Sequence, residues 1–197
     1  VNKQPLLEYN NFKLKKSVKE SIDSDGRLFV EGVIQRSNVK NQNGRVYPKP
    51  ILEQAIENYI KNFVEIGNAL GELDHADTTV VSLRNASHVI RKIWWEGDDV
   101  MGRIEILNTP SGNIAKELLI KEIPLGISSR ALGSIQEINE NTVEVQDDLE
   151  LSCWDFVSNP STHGAFLSPV SLNESINTNK DKFYNLNKVI KDILNNY

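Results

Sequence analysis

Two adjacent serines lie in the run Gly126-Ile127-Ser128-Ser129-Arg130. A strand read over 125–132 puts Leu125, Ile127, Ser129 and Ala131 on one face and Gly126, Ser128, Arg130 and Leu132 on the other. The first face is the more apolar and is expected to face the core. That leaves Ser128 beside Arg130, with Gly126 open to a close approach. A serine next to a cation suits a nucleophile with an oxyanion-stabilising neighbour. The same pattern also describes an ordinary polar strand face.

A nucleophilic serine needs a base and a group that orients the base. The chain has three histidines, His75, His88 and His163. His75 ends Gly71-Glu72-Leu73-Asp74-His75, where Glu72 and Asp74 flank it. His88 falls in a strand near Trp94 and Trp95 and reads as structural. His163, after Pro160-Ser161, reads either way. In a strand over 149–157, Asp155 interrupts the apolar face of Leu151, Cys153 and Val157. A carboxylate there needs hydrogen bonds or a partner. A histidine N–H is one candidate; a turn or an arginine is another. Asp74, His75 and His88 lack metal-ligand spacing. The chain has no Gly-x-Ser-x-Gly elbow, phosphate loop or His-Glu-x-x-His. A hydrolase site must therefore be assembled from distant segments.

The elements that would hold these groups follow from pattern. Alternation predicts strands at 28–36, 68–74, 87–95, 99–107, 125–132, 134–146 and 149–157. Gly97-Asp98-Asp99 marks a hairpin. Helices are expected from Pro50, with a stripe from Ile51 to Val64, and over 111–122, with Ile114, Ala115, Leu118 and Leu119 inside. Six acids and no base between Glu137 and Glu150 read as a solvated face or hairpin. The fold class is α+β: a small, mostly antiparallel β-barrel surrounded by a few helices.

The 197 residues are divided into a polar, lysine-rich arm (1–26), a main domain (27–170), a polar linker (171–181) and an amphipathic tail helix (182–197). The arm is expected to be loosely held. A net charge of −5 argues against a dedicated nucleic-acid binder. One cysteine excludes an internal disulfide framework and a cysteine-rich zinc site. No apolar run approaches the ~20 residues of a membrane span, and the N-terminus does not read as a signal peptide. The expected setting is a reducing cytoplasm.

Several stretches together resemble the prohead (head-maturation) proteases of tailed phages, of the T4-like kind. They are Val30-Glu31-Gly32-Val33-Ile34, Asn43-Gly44-Arg45-Val46-Tyr47-Pro48-Lys49, Ile51-Leu52-Glu53 and Ala69-Leu70-Gly71-Glu72-Leu73-Asp74-His75. Trp94-Trp95-Glu96-Gly97-Asp98-Asp99-Val100-Met101-Gly102-Arg103, residues 126–134 and Asp155-Phe156-Val157-Ser158-Asn159-Pro160-Ser161 continue the series. The set keeps the family's order and covers roughly residues 28–168. The resemblance implies a fold similar to the herpesvirus assemblins and a serine endopeptidase activity. It implies His75 as general base, Ser128 as nucleophile, Asp155 as third member and Arg130 as oxyanion support. Ser129 is the alternative nucleophile. Ala76 departs from the proline that often follows the histidine, and Ala131 from the glycine that often follows the arginine.

The same resemblance implies cleavage after Glu in an Ile/Leu-x-Glu context, with phage scaffold and capsid proteins as substrates. The setting is the immature prohead in the host cytoplasm. No metal or organic cofactor, nucleic acid or membrane partner is expected, and a homo-oligomer is left open. Leu172-Asn173-Glu174 and Leu6-Leu7-Glu8 offer self-cleavage sites at Glu174 and Glu8 in accessible segments. Arg36, Arg84, Arg91 and Arg103 are the unranked candidates for reading the Glu. The rival readings are a catalytically inactive core or scaffold protein of the same fold and a metal-dependent hydrolase.

Overall fold

The structure is a computed structural model that describes residues 4–7, 22–23, 25–76, 78–158 and 168–169. The linker and tail, together with Glu8, His163 and Glu174, lie outside the described residues. Strands β1 (Gln4–Leu7), β2 (Leu28–Arg36) and β3 (Arg45–Val46) precede helix α1 (Lys49–Tyr59). Then come β4 (Leu70–Glu72), β5 (Ala86–Glu96), β6 (Asp99–Ile106) and helix α2 (Pro110–Ile120). Strands β7 (Gly126–Gly133), β8 (Ile135–Asn139), β9 (Thr142–Val145), β10 (Glu150–Val157) and β11 (Ser168–Pro169) complete the order.

The largest sheet has the order β11-β2-β6-β5-β4, and its pairs are all antiparallel. Its centre is the β5–β6 hairpin, turned at Gly97, which takes a φ of 64° that glycine adopts without a Cβ penalty. A second sheet runs β1-β7-β10, and a third runs β3-β9-β8. These ladders form no closed ring among the described residues. One parallel bridge, Leu73 to Phe156, joins the end of β4 to β10. Leu28, Val30, Ile34, Ile90 and Ile104 from the first sheet share a core with Ile127, Ala131 and Phe156 from the second.

Pro50 opens α1 at a first-turn position, where its missing N–H costs nothing. The helix buries Leu52, Ala55, Ile56 and Tyr59 and runs on into a π-turn over Ile60–Val64. Tyr59 meets Trp154 of β10 edge to face, ring centroids 4.8 Å apart. Helix α2 is capped by the Thr109 hydroxyl, which accepts from Gly112 N–H at 3.0 Å. Its core side is Ala115 and Leu119, with Leu118 partly buried. Ile114, expected inside, is instead exposed, because the helix presents a narrower stripe to the sheet.

Three further expectations change. The strand expected over 134–146 is a hairpin, β8–β9, which carries much of the acidic run. The arm expected to be loose contributes β1, whose residues Gln4 to Leu7 pair with Gly133 to Arg130 of β7. Pro5 lacks a backbone N–H, which an edge strand such as β1 tolerates. The polar face of β7, expected to be open, is closed: Gly126 is buried, and so are Ser128 and Arg130, at 1% and 2% exposure.

Candidate active site

Strand β7 lies between β1 and β10. In the β7–β10 ladder, Ser128 is directly opposite Asp155, and Arg130 is opposite Cys153. Directly opposed residues project from the same face of a sheet, so all four share one face. Ser129 pairs with Trp154, and alternation turns its side chain to the other face. Its Oγ has no hydrogen-bond partner among the described residues.

His75 reaches this face from a different sheet. After β4 the chain bridges Leu73 to Phe156 of β10, and Asp74 N–H donates to the Phe156 carbonyl at 2.8 Å. Asp74 then takes a φ of 64°, a left-handed value that aspartate tolerates better than most residues. The turn delivers the imidazole between two side chains. Its Nδ1 lies 2.7 Å from Asp155 Oδ2, and its Nε2 lies 2.6 Å from Ser128 Oγ. With the Nδ1 proton donated to the carboxylate, Nε2 is left to accept from the serine hydroxyl. The His75 side chain is 8% exposed and that of Asp155 is 0% exposed, so the proton path is shielded from bulk water on the carboxylate side.

Asp155 is held from several directions. Its Oδ1 accepts from Glu72 N–H at 2.9 Å and from Arg130 Nη2 at 3.0 Å. Its Oδ2 accepts from Arg130 Nε at 2.6 Å as well as from His75. Burial alone would raise its pKa; the hydrogen bonds from His75, Arg130 and Glu72 N–H outweigh that and hold it below the usual carboxylate range. Arg130 also donates from Nη2 to Glu72 Oε1 at 2.8 Å and from Nη1 to the Thr78 carbonyl. Three guanidinium nitrogens are thus committed to the carboxylate side of the site. The oxyanion-support role expected of Arg130 has no matching contact among these.

His88 stands apart from the His75 cluster. It is fully buried, with Nε2 donating to the Trp154 carbonyl at 3.0 Å and Nδ1 2.8 Å from Ser87 Oγ. Burial pushes its pKa down to about 4, against smaller opposing effects of the Asp155 charge and the Trp154 carbonyl. Of the four arginines considered for reading a Glu, Arg36 pairs with Asp99, Arg91 with Glu105 and Arg103 with Glu31. Arg84 is exposed, in the segment that carries the exposed Leu83.

Sequence reading missed Glu72 as a partner of Arg130. The signal was available in chemistry rather than spacing: an arginine on a strand with two buried faces needs anionic partners. The short segment Gly71-Glu72 brings its backbone to the Asp155 side chain, where Glu72 N–H donates to Oδ1.

The arrangement can deprotonate a hydroxyl at Ser128 and stabilise the imidazolium that results. Comparison with known proteins agrees on protease chemistry. Residues 1–177 match the family model described as "Prohead core protein serine protease". The chain is 37% identical over 152 residues to the "Prohead core protein protease" of Enterobacteria phage T4, covering 75% of this chain and 71% of that one. Among solved structures it resembles the bacteriophage T4 capsid assembly protease, gp21. That match has a TM-score of 0.72 and 32% identity, over 81% of this chain and 100% of the other. From the reach of the family match and the identity to the T4 protein, this chain belongs to the prohead core protein protease family.

Proposed function

We propose that this chain is a serine endopeptidase that cleaves scaffold and capsid proteins inside the maturing phage prohead. The observation that carries the reading is the imidazole of His75, at hydrogen-bond distance from both Ser128 Oγ and Asp155 Oδ2. Ser128 attacks the scissile carbonyl as His75 Nε2 takes its proton. Asp155 fixes the tautomer and stabilises the imidazolium. The imidazolium then protonates the leaving amine, and water attacks the acyl-enzyme along the same path in reverse. Donors beside Ser128 receive the oxyanion. This chemistry requires neither metal nor organic cofactor. The barrel-like arrangement similar to assemblins remains part of this reading, supported by the bridge between β4 and β10.

Substrate enters as an extended strand. β1 already lies along the edge of β7 in that manner, with Leu7 opposite Arg130, two positions from Ser128. The next residue in sequence is Glu8, in Leu6-Leu7-Glu8. The pairing favours self-cleavage after Glu8, with Glu174 as a second site. The cleavage context is Ile/Leu-x-Glu, and a groove of about 590 Å³ that mixes Leu70, Val80, Leu83 and Leu132 with Asn58, Asn62 and Asn68 offers a seat for the Ile/Leu. An inactive core protein would have no use for three groups in this alignment.

The test is the intact mass of freshly expressed chain beside Ser128→Ala, with a synthetic peptide of residues 3–12 added as substrate in trans. Wild type is expected to lose a fragment ending at Glu8 or Glu174 or to cut the peptide after Glu8, while the variant does neither. Equal cutting by both, or by neither, would sink the proposal.

A further inference from the structure

Arg130, Glu72 and Asp155 form a buried cluster in which one cation serves two carboxylates. The three side chains are 2%, 1% and 0% exposed. The guanidinium grips Asp155 with two nitrogens, at 2.6 and 3.0 Å, and Glu72 Oε1 with Nη2 at 2.8 Å. Glu72 Oε1 also accepts from Ser82 N–H at 2.9 Å, and Arg130 Nη1 donates to the Thr78 carbonyl. Both ends of the segment 78–82 that follows His75 are therefore tied to the same cluster. Glu72 Oε2 is buried with no hydrogen-bond partner among the described residues.

Such a cluster is costly to bury, and hydrophobic residues of similar volume would do as well for stability alone. The charge count gives it a second use. Two carboxylates and one guanidinium leave one net negative charge beside the imidazole. That charge is cancelled when His75 accepts the serine proton. Were Glu72 neutral, Arg130 would cancel Asp155 and nothing would remain for the imidazolium. Were Arg130 absent, two carboxylates would crowd one dry site and one would take up a proton.

We infer that Glu72 and Arg130 are positioning residues for catalysis: Arg130 fixes the orientation of Asp155, and Glu72 offsets the arginine so that the carboxylate keeps its charge for His75. This rests on the serine-protease reading. Among the described residues, Cys153 on β10, His88 on β5 and Tyr59 on α1 also interact with the Asp155 charge. Burial pushes the Cys153 thiol and the Tyr59 hydroxyl up and the His88 imidazole down, so all three are neutral at pH 7.

Glu72→Gln keeps an Oε1 that accepts from Arg130 and Ser82 and removes only the charge. In the full chain, with a synthetic peptide of residues 3–12 as substrate, the variant is expected to lose ~10-fold or more in kcat with KM within ~2-fold. The acid limb of kcat/KM is expected to move at least about half a pH unit lower, because the imidazolium has lost a stabilising charge. The NMR titration of the His75 imidazole should shift the same way, and this readout needs no turnover. Should Glu72→Gln fail to fold, Glu72→Gln combined with Arg130→Met restores one net negative charge, and its acid limb should return to the wild-type position. An unmoved limb and unmoved NMR titration in Glu72→Gln, whatever its melting temperature, would overturn the inference, as would a displaced limb in the double variant. Ser128→Ala run alongside separates the two ideas: full activity in that variant sinks the serine reading, whereas loss there with an unchanged Glu72→Gln sinks only this one.

Discussion

Ser128 and Asp155 are cross-strand partners in the β7–β10 ladder, and their side chains are joined through His75, which arrives from the end of β4. The ladder sets the spacing of serine and carboxylate by backbone geometry, before any side chain chooses a rotamer. The histidine is placed by a backbone hydrogen bond one residue away, Asp74 N–H to Phe156 C=O. Two rigid pairings thus converge on one imidazole. Catalysis gains from such support because small displacements at the reacting groups are expensive.

Ser128→Ala is expected to lower the cleavage rate by ~10⁴-fold or more, as removal of a triad nucleophile typically does. Ser129→Ala is expected to stay within a few-fold of wild type, because its Oγ lies on the opposite face of β7. Kinetics on the two variants side by side check both statements. Equal losses would contradict the assignment of faces.

Asp155→Asn should cost ~10⁴-fold in kcat, since the amide can offer His75 the wrong tautomer. It should also change acid stability. The folded-state pKa of Asp155 lies below its unfolded value, so its contribution is present above about pH 4 and is lost as pH falls through the lower folded value. Denaturant midpoints measured from pH 6 downward should fall less steeply in Asp155→Asn than in wild type. Parallel slopes would contradict the bonding described for the carboxylate.

What could be read from sequence was what depends on local alternation. Parity alone put Ser128 and Arg130 on one face, and the Gly97-Asp98 turn fixed the β5–β6 pairing. What could not be read depended on which element lies opposite. Arg130 looked free to serve an oxyanion because nothing local announced that Glu72 and Asp155 would meet it. The burial of both faces of β7 was hidden for the same reason: the covering segment is some fifty residues earlier in the chain. β1 was hidden because the pairing of Gln4 to Leu7 depends on an open strand edge that the arm's own composition does not reveal. Ile114 misled because helical spacing gives a stripe but not its width.

Gly71→Ala should be severely destabilising. A Cβ there would stand 2.0 Å from the Trp154 carbonyl oxygen and 2.3 Å from His88 Nε2. The missing side chain is the gap through which His88 on β5 reaches across β4 to β10. Overpacking typically costs ~1–3 kcal/mol, and contact with a fixed carbonyl places this site at the upper end or beyond. A melting temperature within a degree of wild type would refute the gap.

His88 makes stability depend on pH in a defined window. Its folded pKa is depressed to about 4 from the reference value of 6.5, so the neutral form is favoured by folding. The contribution is complete above about pH 6.5 and is lost progressively as pH falls to about 4. At ~1.4 kcal/mol per unit the loss across the window is on the order of 3 kcal/mol. His88→Gln, which can still donate to the Trp154 carbonyl, should be flatter between pH 6.5 and 4. An identical slope in the variant would show that other groups carry the dependence.

The role of Ser128 is open to a covalent test. A fluorophosphonate that reacts with activated serines is added to the active full chain, and the modified residue is located by tandem mass spectrometry. The expected result is one adduct, on Ser128, absent from His75→Ala and Asp155→Asn under the same conditions. Labelling of Ser129 or another serine, or continued peptide cleavage by a chain whose Ser128 is fully modified, would contradict the mechanism.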